Sequence, residues 1–425
     1  MNTSRLRQTL FSFATRQGAA QAIQIISGFA LVRYMDIHEY GVAAFLLAVQ
    51  ASAGILSDLG LRDGIIAVIG QNAFDKFRLG SLVGAAMHQR RLNLLPVSIG
   101  ILAAFILFHF LQDVPWPVVL ALAAMSIINN SFVGWTIYFA LPWMLRQDMK
   151  AYYKPQLLFQ TARLALLLLC IAFNFLDVIT LAIANTFATC GTALWYRYKS
   201  AELLDIPAQV SRDDMRHLRR YLLPLLPLSI FSAFQDQVTF FILAIVGQAT
   251  NIAQAFALGR LAIVFQFFGT ATLLLATPWI AKAPDENLPK RYAVVLGSAV
   301  TLAAATLLGA LLFPDLFLWI LGHQYQGLYV ELGLALGAAS ATFLYGVLYY
   351  INNSRRWTWP WTGTSYVIAI VTIQALCIVF LDMSQTRNAL LMSLLVGVAM
   401  VILQLLHTIL GFAFKTIRKK KAPQV

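Results

Sequence analysis

The stretch "LNLLPVSIGILAAFILFHFL" at residues 92–111 contains no aspartate, glutamate, lysine or arginine. A helix needs about 20 consecutive, mostly apolar residues to cross the hydrocarbon core of a bilayer, and this stretch has that length. It is therefore predicted to be a membrane-spanning helix. The fold of the whole chain depends on how many similar stretches flank it.

Such stretches follow one another along nearly all of the 425 residues, of which 60% are hydrophobic and 12% charged. Soluble domains are typically about 45–50% apolar and about 25% charged. The composition therefore predicts an all-α integral membrane protein without an extramembrane catalytic domain. We predict about twelve spans, at 11–33, 40–60, 92–111, 116–141, 156–175, 178–196, 221–246, 252–280, 292–313, 328–350, 361–381 and 388–413.

The basic residues are distributed unevenly between the two sides of the membrane. With both chain ends on one side, the opposite segments hold only Arg33 and Arg387, whereas Arg16, Arg163 and Arg260 fall within spans. The rest of the 31 lysines and arginines lie on the inner side. This positive-inside bias predicts that both termini are cytoplasmic, and it explains the net charge of +13 without a nucleic-acid partner. The basic C-terminal tail is expected to contact anionic membrane lipid.

The spans divide into two groups of six. Segments 29–50 and 241–262 share one pattern, in which a polar span is followed by a short outer turn and a second span. Such repetition is typical of transporters built from duplicated bundles. Between the groups, Met215, Leu218 and Leu222 recur at the spacing of an amphipathic helix. The expected domains are an N-terminal six-helix bundle (1–200), a cytoplasmic linker (201–220), a C-terminal six-helix bundle (221–414) and a basic cytoplasmic tail (415–425).

The first span carries polar side chains that a lipid-facing helix would not keep. Gln17, Gln21 and Gln24 share one helical face beside Arg16. An amide that faces hydrocarbon loses its hydrogen bonds at a large free-energy cost. The stripe must therefore face either a neighbouring helix or a water-filled cavity, and three glutamines in register beside an arginine favour the cavity.

Spans seven and eight carry one intramembrane charge each, Asp236 and Arg260. A charge at that depth is retained for a partner or for function. One interpretation is an Asp236–Arg260 pair that locks neighbouring helices. The other is that Arg260 holds an anionic ligand and Asp236 couples transport to a proton or cation. Arg163 also lies in a span, but it is expected to extend to the inner membrane surface.

Other candidate residues lie in spans two and four. Asp58 is an interface residue, half of an Asp58–Arg62 pair, or a second ion-coupling residue. Span four offers side chains that either contact a sugar or pack between helices, namely Asn129, Asn130, Trp135 and Tyr138.

Several classes of activity are disfavoured by the motifs. The Asp213–Asp214 pair resembles a metal-binding glycosyltransferase motif, but the flanking arginines favour a solvated charged face. There is no phosphate-binding loop for ATP and no metal-ligand spacing of histidines or cysteines. No cofactor and no metal site are therefore expected.

Two regions of the chain are similar to one transporter family. "FALVRYMDIHEYGVAAFLLAVQASAGILSDLGLRDGI" (29–65) resembles the opening of Wzx-type oligosaccharide flippases. A second region, within 234–282, resembles the seventh and eighth helices of the same family. It contains "FQDQVTFFILAIVG", "AFALGRLAIVFQ" and "LLLATPWIAK". The family belongs to the MOP superfamily, which also contains MATE drug/cation antiporters and the lipid II flippase.

The resemblance implies a V-shaped, pseudo-twofold pair of six-helix bundles around a cationic cavity. It implies a non-enzymatic flippase that moves undecaprenyl-diphosphate-linked oligosaccharide, such as an O-antigen unit, across the bacterial cytoplasmic membrane. Arg16 and Arg260 would hold the diphosphate, and Gln17, Gln21, Gln24 and Asn129 the sugars. A proton or sodium gradient would drive transport through Asp236 or Asp58, and a polysaccharide polymerase would be a further partner.

Two alternatives remain open. A MATE-like drug/cation antiporter would have an acidic cavity, because its substrates are cations. A polytopic glycosyltransferase or polymerase that acts on the same lipid would need a large outer loop with catalytic residues, whereas the outer turns here are short.

Overall fold

The structure is a computed structural model that describes residues 3–69, 75–146, 148–207, 209–223, 226–281, 283–284, 286–355, 357 and 361–421. Within these ranges every regular element is a helix, which confirms the predicted all-α class. The chain divides into two compact units, Met1–Ile245 and Val246–Val425, which we call the N-terminal and C-terminal units. Residues 422–425 of the predicted basic tail lie outside the described part.

The N-terminal unit contains ten helices within the described ranges. They are α1 (Thr3–Tyr34), α2 (Ile37–Asp58), α3 (Leu61–Ile69), α4 (Lys76–Gln112), α5 (Trp116–Leu145), α6 (Met149–Ala172), α7 (Val178–Ser200), α8 (Arg212–Leu222), α9 (Leu226–Gln235) and α10 (Val238–Val246), the last of which reaches the unit boundary.

The C-terminal unit continues with eight α-helices in the described ranges and one π-helical turn, Thr272–Ala276, between the second and third of them. They are α11 (Ala249–Arg260), α12 (Ile263–Ala271), α13 (Thr277–Ala281), α14 (Leu288–Leu312), α15 (Pro314–Leu321), α16 (Tyr329–Ser354), α17 (Thr362–Phe380) and α18 (Thr386–Lys421).

The predicted spans agree with these helices in place, although fewer than the predicted twelve qualify as spans by length and composition in the described chain. In the described chain, ten helices are long and apolar enough to cross a membrane, and they match predicted spans two to six and eight to twelve. The pair Ser229–Gln235 and Val238–Val246 adds span seven if its bent halves form one crossing. Helix α1 coincides with span one, but its glutamines and arginines make it too polar to be counted by composition.

Aspartates in the connections begin several helices. Asp36 accepts hydrogen bonds from the backbone N–H groups of His38 (2.8 Å) and Glu39 (3.4 Å), which satisfies the first turn of α2. Asp75 does the same for α4, with the N–H of Phe77 at 3.0 Å. These short polar connections are therefore helix caps, which leaves the apolar runs uninterrupted.

The inner connection at 62–91 differs from the sequence prediction, which treated it as a segment between spans. It contains α3 and the first turns of α4, so α4 is much longer than the predicted span 92–111. The extension is stabilised by packing, because Leu79, Leu82 and Val83 are buried against α3 and α8. Local hydropathy did not show this, since the uncharged run 79–87 is too short to cross a membrane and has Lys76 and Arg78 on one side and Arg90 and Arg91 on the other.

The predicted amphipathic helix in the linker is confirmed as α8, whose Leu218 and Leu222 are buried. The prediction that Asp213–Asp214 forms a solvated face is wrong for Asp214, which is 2% exposed. Asp214 pairs with Arg78 at 2.5 Å and accepts a hydrogen bond from Ser81 at 2.5 Å. The carboxylate therefore fastens α8 to α4.

Candidate functional site

Span seven is broken at Asp236. Helices α9 and α10 meet there at an angle of 55°. In a continuous helix the N–H of Gln237 would reach the carbonyl of Ala233, but it donates to the carbonyl of Phe234 at 3.0 Å. The buried Ser52 hydroxyl of α2 donates to the Ala233 carbonyl at 2.6 Å. Ser52 thus stabilises the break, and Asp236 lies exposed at its tip.

Span eight is irregular in two places. Helix α11 ends at Arg260, two turn residues follow, and α12 leads into the π-helical turn Thr272–Ala276. Such π-helical turns inside helices occur frequently at functional sites. The guanidinium of Arg260 lies over the Phe256 ring at 4.8 Å. Its Nε is buried and has no hydrogen-bond partner among the described residues, so the side chain retains donor capacity for an anion.

The polar stripe of α1 is shared between a neighbouring helix and the surface. Gln17 accepts a hydrogen bond from the Tyr153 hydroxyl of α6 at 2.6 Å. Arg16 and Gln21 are half-buried, and Gln24 is exposed. The first glutamine therefore binds a helix, as one interpretation held, while the third is available to solvent or ligand.

Asn129 is 7% exposed, and its amide nitrogen donates to the Thr189 hydroxyl of α7 at 3.1 Å. Its donor is therefore used within the bundle, between α5 and α7.

Asp58 belongs to a buried polar network that joins α2, α4 and α5. It accepts a hydrogen bond from the Tyr138 hydroxyl at 2.7 Å, and Arg90 lies 3.9 Å away. Arg90 is 3% exposed and donates to both the backbone and the side-chain carbonyl oxygens of Asn130, at 2.8 and 3.1 Å. Asn130 in turn donates to Ser57 at 2.8 Å. Arg90, not Arg62, is thus the cation that faces Asp58.

Gly134 makes this arrangement possible. A Cβ at Gly134 would overlap the guanidinium group of Arg90. Sequence reasoning missed Arg90 because it lies outside the apolar run, and only its closeness to that run hinted at burial. Asn130 and Tyr138 were noted as candidate sugar ligands, but both are buried in the network.

An apolar cleft of about 560 Å³ lies between α2, α4 and the α9–α10 pair, within the N-terminal unit. Along α4 it extends from Asn93 to Leu111, which corresponds to roughly 27 Å at the rise of an α-helix. That length is close to the hydrocarbon thickness of a bilayer, about 30 Å. A Cβ at Gly100 on its wall would meet nothing within 4 Å. The cleft can therefore hold a long hydrocarbon chain.

Comparison with known proteins gives the fold. No family model matches the chain, and no curated protein matches it. An inward-facing multidrug resistance MATE family transporter of the MOP superfamily is similar with a TM-score of 0.60 and 14% identity, over 95% of this chain and 96% of that one. The eukaryotic MATE transporter AtDTX14 is similar with a TM-score of 0.62 and 10% identity, over 96% of each chain.

A third structure, MATE in complex with MaL6, gives a TM-score of 0.57 and 14% identity over 97% of each chain. The similarity covers nearly the whole chain in all three cases. The chain therefore has the fold of the MATE transporters of the MOP superfamily, as predicted. Sequence identities this low establish the fold alone.

Proposed function

We propose that the protein is a flippase that moves undecaprenyl-diphosphate-linked oligosaccharide from the inner to the outer leaflet of the bacterial cytoplasmic membrane by alternating access. The observation that carries the proposal is Arg260, a cation within a span whose Nε lacks a hydrogen-bond partner among the described residues. An arginine at that depth is costly unless it serves a partner or a ligand. A diphosphate matches it in charge and in planar hydrogen-bonding geometry.

The substrate has three chemical parts, and candidate groups exist for each. Arg260 and the half-buried Arg16 suit the diphosphate. Gln21 and the exposed Gln24 offer amide donors and acceptors for sugar hydroxyls. The apolar cleft between α2, α4 and α9–α10 suits the polyprenyl chain, because its apolar wall offers van der Waals contacts over roughly the length of the hydrocarbon core.

A substitution on the wall of the cleft tests whether the cleft takes part in transport. Gly100→Phe adds a large side chain on the wall of the cleft, at a position where a Cβ meets nothing within 4 Å. We expect roughly tenfold slower transport of a C55-linked substrate, because the ring occupies space that the chain would fill and such overpacking costs about 1–3 kcal/mol. Gly297→Phe in α14 is the matched control, since that glycine is exposed and equally uncrowded. Equal rates in the two variants would remove the cleft from the transport pathway.

A MATE-like cation antiporter is the second candidate. It is favoured by the fold and by Asp236, a carboxylate exposed at the break of span seven. A carboxylate in that position suits a coupling proton or sodium ion in either kind of transporter. The two candidates therefore differ in substrate and not in the role of Asp236.

Reconstituted protein distinguishes the two candidates. Proteoliposomes would be supplied with a fluorescent undecaprenyl-diphosphate disaccharide or with ethidium, with and without proton and sodium gradients. If the protein is a flippase, we expect it to translocate the lipid and to show no gradient-driven movement of ethidium. Ethidium movement alone would establish the antiporter. A polymerase or transferase would instead convert the lipid to a longer or altered glycan, which chromatography detects.

Asp236→Asn tests the coupling role in the same vesicles. We expect it to abolish the acceleration by the gradient while leaving slow translocation without a gradient, because the neutral amide cannot exchange a proton or hold a cation. An unchanged response to the gradient would rule out Asp236 as the coupling residue.

A further inference from the structure

A second pocket of about 390 Å³ lies in the N-terminal unit, where α7 gives way to the linker. Its wall contains the basic side chains of His88 and Arg91 from α4 and Arg197 from α7. The remaining wall is aromatic or aliphatic, with Trp135 and Ile206 among its residues. The pocket therefore combines cationic and apolar surfaces.

The two arginines are available to a ligand. Arg91 and Arg197 are exposed, and neither makes a hydrogen bond or ion pair with another described residue. The guanidinium carbon of Arg197 lies over the Trp135 ring, 4.3 Å from its centroid. This contact restrains the guanidinium group, and its N–H groups remain available to bind phosphate. The nearby acids of the linker, Glu202 and Asp205, do not line the pocket.

The position of the pocket identifies the kind of anion. Arg91 immediately precedes the apolar run 92–111, whose Leu92 and Leu95 are 52% and 69% exposed. Arg197 lies in the last turn of α7. The pocket is thus at the boundary between the charged end of the helices and the hydrocarbon region, where lipid headgroups reside. A free phosphate ion would gain nothing from the apolar wall, whereas a phospholipid would use both surfaces.

We propose that this pocket binds the phosphate headgroup of an anionic phospholipid from the adjoining leaflet, which is the cytoplasmic leaflet by the charge distribution. Arg91 and Arg197 hold the phosphate, and Trp135, Ile206 and their apolar neighbours contact the start of the acyl chains. The site is separate from the residues assigned to the transported substrate and does not depend on that assignment.

The test uses the full chain purified in detergent and titrated with phosphatidylglycerol, phosphatidylcholine or inorganic phosphate, with bound lipid counted by native mass spectrometry. We expect wild-type protein to bind phosphatidylglycerol at least tenfold more tightly than phosphatidylcholine. Arg197→Gln and Arg91→Gln should each weaken phosphatidylglycerol binding by ~10-fold, the usual effect of losing one charged hydrogen bond. Inorganic phosphate at millimolar concentration should not displace the lipid.

Arg212→Gln and Arg216→Gln are the matched controls, because both arginines are exposed on α8 and each change removes the same charge. They should leave the affinity within about twofold, as expected for general attraction of basic residues to anionic lipid. Equal losses in the controls, no preference for phosphatidylglycerol, or displacement by free phosphate would each overturn the proposal. Arg91→Gln keeps the test decisive if Arg197→Gln fails to fold, since Arg91 has no described partner to lose.

Discussion

Arg260→Gln should slow the translocation of an undecaprenyl-diphosphate disaccharide by 10-fold to 100-fold in proteoliposomes. The substitution removes the positive charge but keeps a polar side chain of similar length. A hydrogen bond to a charged group contributes about 1.5–3 kcal/mol, and each 1.4 kcal/mol corresponds to roughly tenfold in affinity or rate. Arg260→Lys should recover part of the rate, because it restores the charge without the planar pair of donors.

Arg387→Gln is the control for Arg260→Gln. Arg387 is exposed in the first turn of α18, so the same change there should leave the rate within about twofold. The thermal unfolding midpoint of each variant separates a loss of transport from a loss of folding. Full activity of a well-folded Arg260→Gln protein would contradict the proposed role in holding the diphosphate.

Asp58→Asn should destabilise the protein by about 3 kcal/mol, as when one member of a buried ion pair is removed. The change leaves Arg90, which is 3% exposed, facing a neutral amide. It also weakens the hydrogen bond that the Tyr138 hydroxyl donates at 2.7 Å. The measurement is the unfolding free energy in mixed detergent micelles, compared with wild type.

Asp63→Asn is the matched control, because Asp63 is exposed in the first turn of α3 and makes no described ion pair. Its loss should cost no more than about 1 kcal/mol, the size of a helix-dipole contribution. A different outcome for Asp58→Asn, in which stability is unchanged, would point to another role for this residue. Wild-type stability together with a lost response to the ion gradient would make Asp58 the coupling residue instead of a structural one.

The positions of the membrane helices could be predicted because they depend on local composition. The run at 92–111 is apolar over the full width of a bilayer, so it crosses whatever its neighbours are. The cap at Asp36 is also a local feature, because an aspartate that accepts from the next N–H groups acts within a few residues. The first four turns of α4 were missed, because their stability comes from packing against α3 and α8.

The candidate site was predictable only in part. The sequence marked Arg260 and Asp236 as intramembrane charges, and the structure adds that each lies at an interruption of its helix. Nothing local indicated that Ser52 would bind the carbonyl of Ala233, since the two are 181 positions apart. Likewise, Arg62 was the nearer cation in sequence to Asp58, but Arg90 is the one that faces it.

The sequence by itself therefore determined the membrane class, the positions and order of the membrane helices and the presence of charges within them. These properties follow from the transfer of side chains between water and hydrocarbon, which each segment experiences independently. Only the tertiary structure decided which polar groups satisfy one another, where span seven bends and which cavities remain. Those outcomes depend on how helices distant in sequence pack together, because a buried polar group takes whichever partner the packing brings within hydrogen-bond distance.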